Sequence, residues 1–263
     1  MGGGGVRNLI ALIFVSQIPD YYIPATSHIL QARLGLPDNT LCIDINEGCS
    51  GFITGLYTAG LIAEQYNGNV LLTGGDTLSK LTSPDDRALR TTFSDSGYAA
   101  VISPGGNGEM RFMFESYGDR ANALMTDNSR HRITDNPRNN GMLFMDGAAI
   151  MNFTLSDVPE VMKNFLDESG LTVNDITLFA LHQANKLMLR TIAKKMGVPE
   201  EKMPFTAADI GNTSSASIPL MLSGLSGSAD MKNVMCAGFG MGLSVGVCTA
   251  DFSDTKFLGI TEL

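Results

Sequence analysis

Asn69-Val70-Leu71-Leu72-Thr73-Gly74-Gly75 returns 164 positions later as Asn233-Val234-Met235-Cys236-Ala237-Gly238-Phe239. Each copy is an apolar run closed by small residues, the pattern of a strand covered on both faces that ends in a tight turn. Upstream, Leu12 to Gln17, a loop, and Ala25 to Gly35 read as strand, turn and helix. Leu178 to Gln183 followed by Ala184 to Gly197 reads the same way, 166 positions on. Between them lie Asp44 to Gly60 and Ala208 to Gly224, two polar turns entering helices of small residues. Here the offset is 163, and Cys49 falls opposite Asn212. Repeats this long are not solenoid units. They predict two copies of one α/β half, residues 1–105 and 106–263, related by a pseudo-twofold axis. Strands alternating with helices imply mostly parallel sheets covered by helices. The helices after Cys49 and Asn212, rich in Gly, Ala, Ser and Leu, are expected to be buried on all sides between the sheets.

The repeat has a gap. Before its His182 strand the second half carries residues 109–170, with a strand (Arg111 to Ser116) and a helix (about Ala148 to Glu168, spanning Pro159). Before its equivalent strand the first half has only Met1-Gly2-Gly3-Gly4-Gly5-Val6. A strand–helix–strand unit is therefore expected to be missing there, and the sequence to be an incomplete record of a longer protein.

At 263 residues, 44% of them hydrophobic, with 29 glycines, the chain can bury a large core with many tight turns. A net charge of −9 argues against nucleic acid as a partner. No apolar run reaches the ~20 uncharged residues a membrane span needs. Cys42, Cys49, Cys236 and Cys248 show neither CxxC pairing nor zinc-ligand spacing. Three of them lie in apolar strand-like runs and read as buried free thiols, which suits a reducing cytoplasm.

Three segments carry the chemistry: Gly48-Cys49-Ser50-Gly51-Phe52, Leu181-His182-Gln183-Ala184-Asn185 and Gly211-Asn212-Thr213-Ser214-Ser215. Cys49 sits between glycines at an expected helix N-terminus, where free N–H groups and the helix dipole favour a thiolate and lower the thiol pKa. Its plain alternative is one more buried cysteine. A histidine at a strand end is commonly structural, and His28 and His131 keep that reading. His182 differs because the chain turns straight into a helix after it, leaving a neutral imidazole at the mouth of the turn as a donor to a carbonyl oxygen. Asn212 after glycine suits a helix cap, but its place opposite Cys49 makes it a second donor to the same oxygen. Ala237-Gly238-Phe239-Gly240-Met241-Gly242 lacks the Lys-Ser/Thr of a P-loop and precedes a strand. It reads as backbone that approaches a ligand closely. Lys186, Arg190 and Lys194, with Lys195 adjacent, form a basic stripe on one helix of an acidic chain. The stripe is either a solvated face or a dock for an acidic or phosphorylated partner.

With these residues in hand, the chain resembles ketoacyl-ACP synthase III of the thiolase superfamily, apart from roughly the first sixty residues of that family. The GCSGF-like turn, His182-Gln183-Ala184-Asn185, Gly211-Asn212-Thr213-Ser214, the final Gly238-Phe239-Gly240-Met241-Gly242 and the Asp86-Arg87…Thr92-Phe93-Ser94-Asp95-Ser96-Gly97 stretch carry the likeness. The resemblance implies a five-layer αβαβα fold, a homodimer and a ping-pong condensation. An acyl-CoA would acylate Cys49, and malonyl-ACP would then lose CO2. His182 and Asn212 would stabilise the enolate, and backbone N–H groups of Cys49 and Met241 would hold the acyl oxyanion. Arg87, Gly147 and Asn185 would lie near the CoA or phosphopantetheine arm, and Phe239 would line the pocket. Lys186, Arg190, Lys194 and Lys195 would face acidic carrier protein, and Tyr21, Tyr22 and Ile23 the partner subunit. No resident cofactor or metal is implied. Met241 replaces a usual glycine and Ala148 a usual asparagine, so the acyl pocket and pantetheine contacts are expected to be reshaped. Two alternatives remain open: an acyltransferase of the same fold that forms an ester or amide, and a non-catalytic partner subunit.

Overall fold

The computed structural model describes residues 8–106, 108–127 and 133–262. His131 and the glycine run at Gly2 to Gly5 lie outside them. The first half forms a four-stranded sheet from β1 (Leu9–Val15), β2 (Leu41–Ile45), β3 (Asn69–Asp76) and β4 (Ser96–Ile102), in the order β2-β1-β3-β4. The second forms another from β5 (Arg111–Ser116), β8 (Leu178–Leu181), β9 (Val234–Gly240) and β10 (Ser244–Ala250), in the order β5-β10-β9-β8. A small hairpin, β6 (Leu124–Thr126) with β7 (Leu143–Met145), lies apart from both.

The repeat shows in the pairing. β1 runs parallel to β3, and β3 antiparallel to β4. Correspondingly β8 runs parallel to β9, and β9 antiparallel to β10. β5 covers the far edge of β10. Among the described residues no strand takes the equivalent place on β4.

Among the described residues six α-helices complete the layers. Of these, α1 (Thr26–Arg33) packs on β1 and β2, outside the first sheet. Outside the second sheet lies α4 (Gly147–Ser169), packed against α5 (Lys186–Met196). α2 (Gly51–Tyr66) and α6 (Ser217–Leu225) lie between the sheets, and a short α3 (Arg87–Arg90) follows β3. This is the five-layer αβαβα order that the resemblance implies.

Alternation within the strands separates two apolar cores. On β9, Val234 and Cys236 face the inter-sheet core with Leu178, Ala180, Ile53 and Met221. Met235, Ala237 and Phe239 face the other way, onto Phe153, Phe165 and Ile192 of α4 and α5. All seven residues of β9 are buried, which explains its unbroken apolar run.

Two expectations need correction. α2 is not buried on all sides: Tyr57, Leu61 and Tyr66 are 40%, 55% and 69% exposed along one side of the helix, while Ala59 and Ala63 on the other side are buried. Cys42 is only half-buried, whereas Cys236 and Cys248 are buried, and all four cysteines are free thiols. Asp44, at the end of β2, serves a different helix. Its carboxylate accepts the Thr26 and Ser27 N–H groups at 2.7 and 2.8 Å and caps α1.

Candidate active site

Cys49 immediately precedes Ser50, the N-cap of α2, and is 4% exposed. Its turn is pressed against the end of β9. A Cβ on Gly240 would fall 2.8 Å from Cys49 Cβ and 3.0 Å from Sγ, and one on Gly238 would fall 2.8 Å from the Cys49 carbonyl oxygen. Only glycine lets the two backbones meet. Gly240→Ala is therefore expected to destabilise the fold by about 1–3 kcal/mol through overpacking and to slow modification of Cys49. Urea denaturation checks this, and an unchanged midpoint would contradict the contact.

The expected thiolate-favouring environment is not found. Burial pushes the Cys49 thiol up to about 12, and the charge of Asp76 adds to the rise. A hydrogen bond to Ser214 and the backbone N–H groups of Cys49 and Met241 pull the other way without prevailing. Two amides at the helix end are turned to carbonyls of the turn itself. Gly51 N–H donates to Gly48 O at 2.7 Å and Ile53 N–H to Ser50 O at 3.0 Å. Desolvation of a sealed thiol outweighs the fragment of dipole left over.

His182 follows β8, and its N–H donates to Ala237 O of β9 at 2.8 Å. The ring is 2% exposed and packs edge-on against Phe239, with centroids 5.4 Å apart. Ser217 Oγ lies 2.7 Å from Nδ1 and receives the Gln183 N–H at 3.4 Å. The Ser217 hydroxyl can donate to Nδ1, and we assign the imidazole proton to Nε2 as the tautomer compatible with that bond. Burial holds the imidazole low, at about 4, with the Ser214 backbone opposing. It is therefore neutral at pH 7.

That low value links stability to acid. The folded state resists a proton that the unfolded histidine accepts below about 6.5. Stability contributed by the neutral ring is thus complete above pH 6.5 and falls as pH drops towards 4, by on the order of 3 kcal/mol. Asp127, Asp175 and Asp251, also held low, titrate below this window. The urea midpoint should fall between pH 6.5 and 4, and His182→Gln should flatten that slope. An equal slope in both proteins would remove His182 as its source.

Asn212 does not follow a strand. It is held by a single parallel bridge to Phe93, in which its N–H donates to Thr92 O at 2.8 Å and its carbonyl accepts Ser94 N–H at 2.9 Å. Its Oδ1 accepts the Ser214 N–H at 2.9 Å, which orients the amide and leaves Nδ2 to donate.

The three candidates thus meet at Ser214, a residue in the left-handed region (φ 53) within the one-turn 3-10 helix Ser214–Ala216. Cys49 Sγ lies 3.9 Å from Ser214 Oγ, Asn212 holds its N–H, and the His182 ring lies against its backbone. Ser214, Ser217 and Asp76 are functional positions that no spacing or composition in the sequence marks by itself. Four hydroxyl residues among the five positions after Asn212 were the available signal.

The remaining candidates scatter. Phe239 is buried against His182. Asn185 Oδ1 accepts Met188 N–H at 2.9 Å and caps α5. Gly147 opens α4 and Arg87 opens α3, both exposed. Lys186 and Lys194 are exposed, Arg190 pairs with Glu200 at 3.4 Å, and Lys195 Nζ donates to Leu155 O of α4 at 2.6 Å. Among the described residues no cluster of His, Cys, Asp or Glu has the makings of a metal site.

A buried thiol set between two pseudo-symmetric α/β halves is the arrangement of thiolase-like proteins, and comparison narrows the class. The family model described as 3-oxoacyl-[acyl-carrier-protein (ACP)] synthase III matches residues 43–120, and its C-terminal companion matches residues 166–252. The beta-ketoacyl-[acyl-carrier-protein] synthase III of Lactobacillus delbrueckii subsp. bulgaricus is 35% identical over 240 residues, covering 89% of this chain and 75% of the relative. The 3-oxoacyl-(acyl-carrier protein) synthase of Burkholderia xenovorans LB400 superposes with a TM-score of 0.87 at 36% identity, covering 94% of this chain and 74% of that one. The priming beta-ketosynthase from the R1128 polyketide biosynthetic pathway superposes with a TM-score of 0.82 at 27% identity, covering 91% and 74%. This chain belongs to the 3-oxoacyl-[acyl-carrier-protein] synthase III family.

Proposed function

We propose that this chain is an acyltransferase that condenses an acyl-CoA starter with malonyl-ACP, with loss of CO2, at the start of fatty-acid or polyketide synthesis. The observation that carries this reading is the convergence of Cys49, His182 and Asn212 on the Ser214 turn.

In the first half-reaction, Cys49 sulfur bonds to the acyl carbonyl carbon, the carbon–sulfur bond to CoA breaks, and the thiol proton passes to the departing CoA sulfur. Backbone N–H groups of Cys49 and Met241 lie against the Cys49 sulfur and are placed to hold the tetrahedral oxyanion. In the second, malonyl-ACP loses CO2. The negative charge moves onto the thioester oxygen, where His182 Nε2–H and Asn212 Nδ2–H donate to it. The enolate carbon then attacks the acyl group and expels the Cys49 thiolate, which takes up a proton. A thiol held near 12 takes that proton readily, which favours product release. A histidine held near 4 remains a neutral donor throughout. The condensation involves no net change of oxidation state, so it calls for no redox cofactor.

We read Arg87, Gly147 and Asn185 as contacts for the CoA or phosphopantetheine arm. Lys186, Arg190 and Lys194 are read as the carrier-protein dock, with Lys195 contributing less because its ammonium is tied to α4. The Tyr21-Tyr22-Ile23 loop, 60%, 63% and 87% exposed, supports a contact with a second copy. Four free thiols support a reducing cytoplasm. Among the described residues no helix is long and apolar enough to cross a membrane.

The test is intact mass before and after mixing with a panel of acyl-CoAs, followed by malonyl-ACP. A gain of one acyl group, then its loss with CO2 release, is the expected result. Product formed on an alcohol or amine without CO2 would replace this reading with the ester- or amide-forming alternative.

A further inference from the structure

Asp76 ends β3 with its side chain inside the molecule, 2% exposed. Its Oδ1 accepts Ser16 Oγ–H at 3.0 Å and Gln17 N–H at 2.9 Å, both just beyond β1. Its Oδ2 accepts Ser215 Oγ–H at 3.1 Å, from the other half of the molecule. Among the described residues no lysine or arginine forms an ion pair with it. A buried carboxylate without a cation is costly, and here hydrogen bonds alone satisfy it.

Ser215 adjoins Ser214, whose left-handed backbone persists only when its surroundings hold it. Two side chains do so: Asn212 takes the Ser214 N–H, and Asp76 takes the Ser215 hydroxyl. We propose that Asp76 is a positioning residue that, through Ser215, anchors the turn on which Cys49, His182 and Asn212 converge, and so registers the second half's donors against the first half's nucleophile.

A second consequence follows from its charge. Asp76 also opposes the Cys49 thiolate and the ionised form of Tyr98, a neighbour on β4. The other ionisable groups about the turn are His182, from the β8 side, and Glu47, whose Oε1 accepts Ser50 Oγ–H at 2.6 Å. Its bond to Ser215, next to the Ser214 hydroxyl that lies 3.9 Å from Cys49 Sγ, brings the Asp76 charge to the thiol's side of the turn, where it helps to keep the resting thiol protonated.

The two effects separate by mutation. Asp76→Asn removes the charge and weakens the anchor. Ser215→Ala removes the anchor and keeps the charge. Two readouts apply: the pH profile of Cys49 alkylation by iodoacetamide, and decarboxylation of a malonyl thioester. Asp76→Asn should shift alkylation to lower pH and cut the decarboxylation kcat roughly 10- to 100-fold, the scale of loss expected from misplaced catalytic groups, with KM little changed. Ser215→Ala should show the same loss of kcat with an unshifted alkylation profile. Wild-type kcat in Ser215→Ala overturns the positioning role, and it decides the matter even if Asp76→Asn fails to fold. An unshifted profile in folded Asp76→Asn overturns the electrostatic one. The decarboxylation arm rests on the condensing-enzyme reading. If the unmutated protein does not decarboxylate, that reading fails, while the alkylation profile still tests the Asp76 charge. The alkylation rate at fixed pH in Ser215→Ala then still tests the positioning: it should rise as the turn over Cys49 loosens, and an unchanged rate overturns the anchor.

Discussion

Cys49→Ala, mixed with any acyl-CoA, is expected to gain no acyl mass. The other three thiols cannot substitute. Cys236 and Cys248 lie opposite each other in the β9–β10 ladder inside the inter-sheet core, and both are buried. Cys42, half-buried on β2, directs its thiol at Thr40 O at 3.6 Å. Cys49, by contrast, has backbone N–H groups of Met241 and itself against its sulfur. The alanine is smaller than the thiol it replaces, so the β9 contact is not overfilled and the fold should survive. Intact mass spectrometry reads the result directly. An acyl adduct retained in Cys49→Ala would remove Cys49 as the nucleophile.

His182→Ala and Asn212→Ala should each still acylate, yet lose malonyl decarboxylation by at least ~100-fold, the usual loss for one oxyanion donor. The split follows from geometry. The acyl oxyanion is served by backbone N–H groups that neither substitution touches, whereas the enolate oxygen depends on Nε2–H and Nδ2–H. The variants should differ in one respect. Asn212→Ala also frees the Ser214 N–H, so it loosens the turn and slows acylation somewhat. His182→Ala leaves that bond intact and removes the ring from the Ser217 hydroxyl and from the Ser214 backbone. Single-turnover acylation followed by CO2 release on the acyl-enzyme separates the steps. Normal CO2 release in either variant would exclude that residue from the enolate site.

These effects hinge on residues that were legible to very different degrees. Strand and helix order was readable because β1, β3, β8 and β9 are buried on at least one face and carry long apolar runs. Cys49, His182 and Asn212 stood out because each interrupts an apolar or small-residue stretch, and the duplicated half set Cys49 opposite Asn212. The basic stripe on α5 was equally readable, but its division was not. Lys195 turns to a carbonyl on α4 and Arg190 to Glu200, partners that no spacing along one helix reveals.

The pKa of Cys49 was misjudged for a related reason. A glycine-flanked cysteine before a helix describes an electropositive end, and local sequence says nothing of how completely the rest of the chain seals it. Once β9 and the Ser214 turn close over the sulfur, loss of water dominates. Likewise Ser214, Ser217 and Asp76 look like ordinary turn and strand-end residues. Their importance comes from contacts across 165, 35 and 139 positions.

Periodicity and duplication, read along the chain, were enough to specify two α/β halves and the three side chains able to do thioester chemistry, because those signals are local and repeat. Folding alone decided which hydroxyl orients the imidazole, which carboxylate anchors the shared turn and whether the nucleophile rests as thiol or thiolate. Hydrogen bonding and desolvation depend on which atoms meet and which water leaves. Both are settled only when distant segments pack.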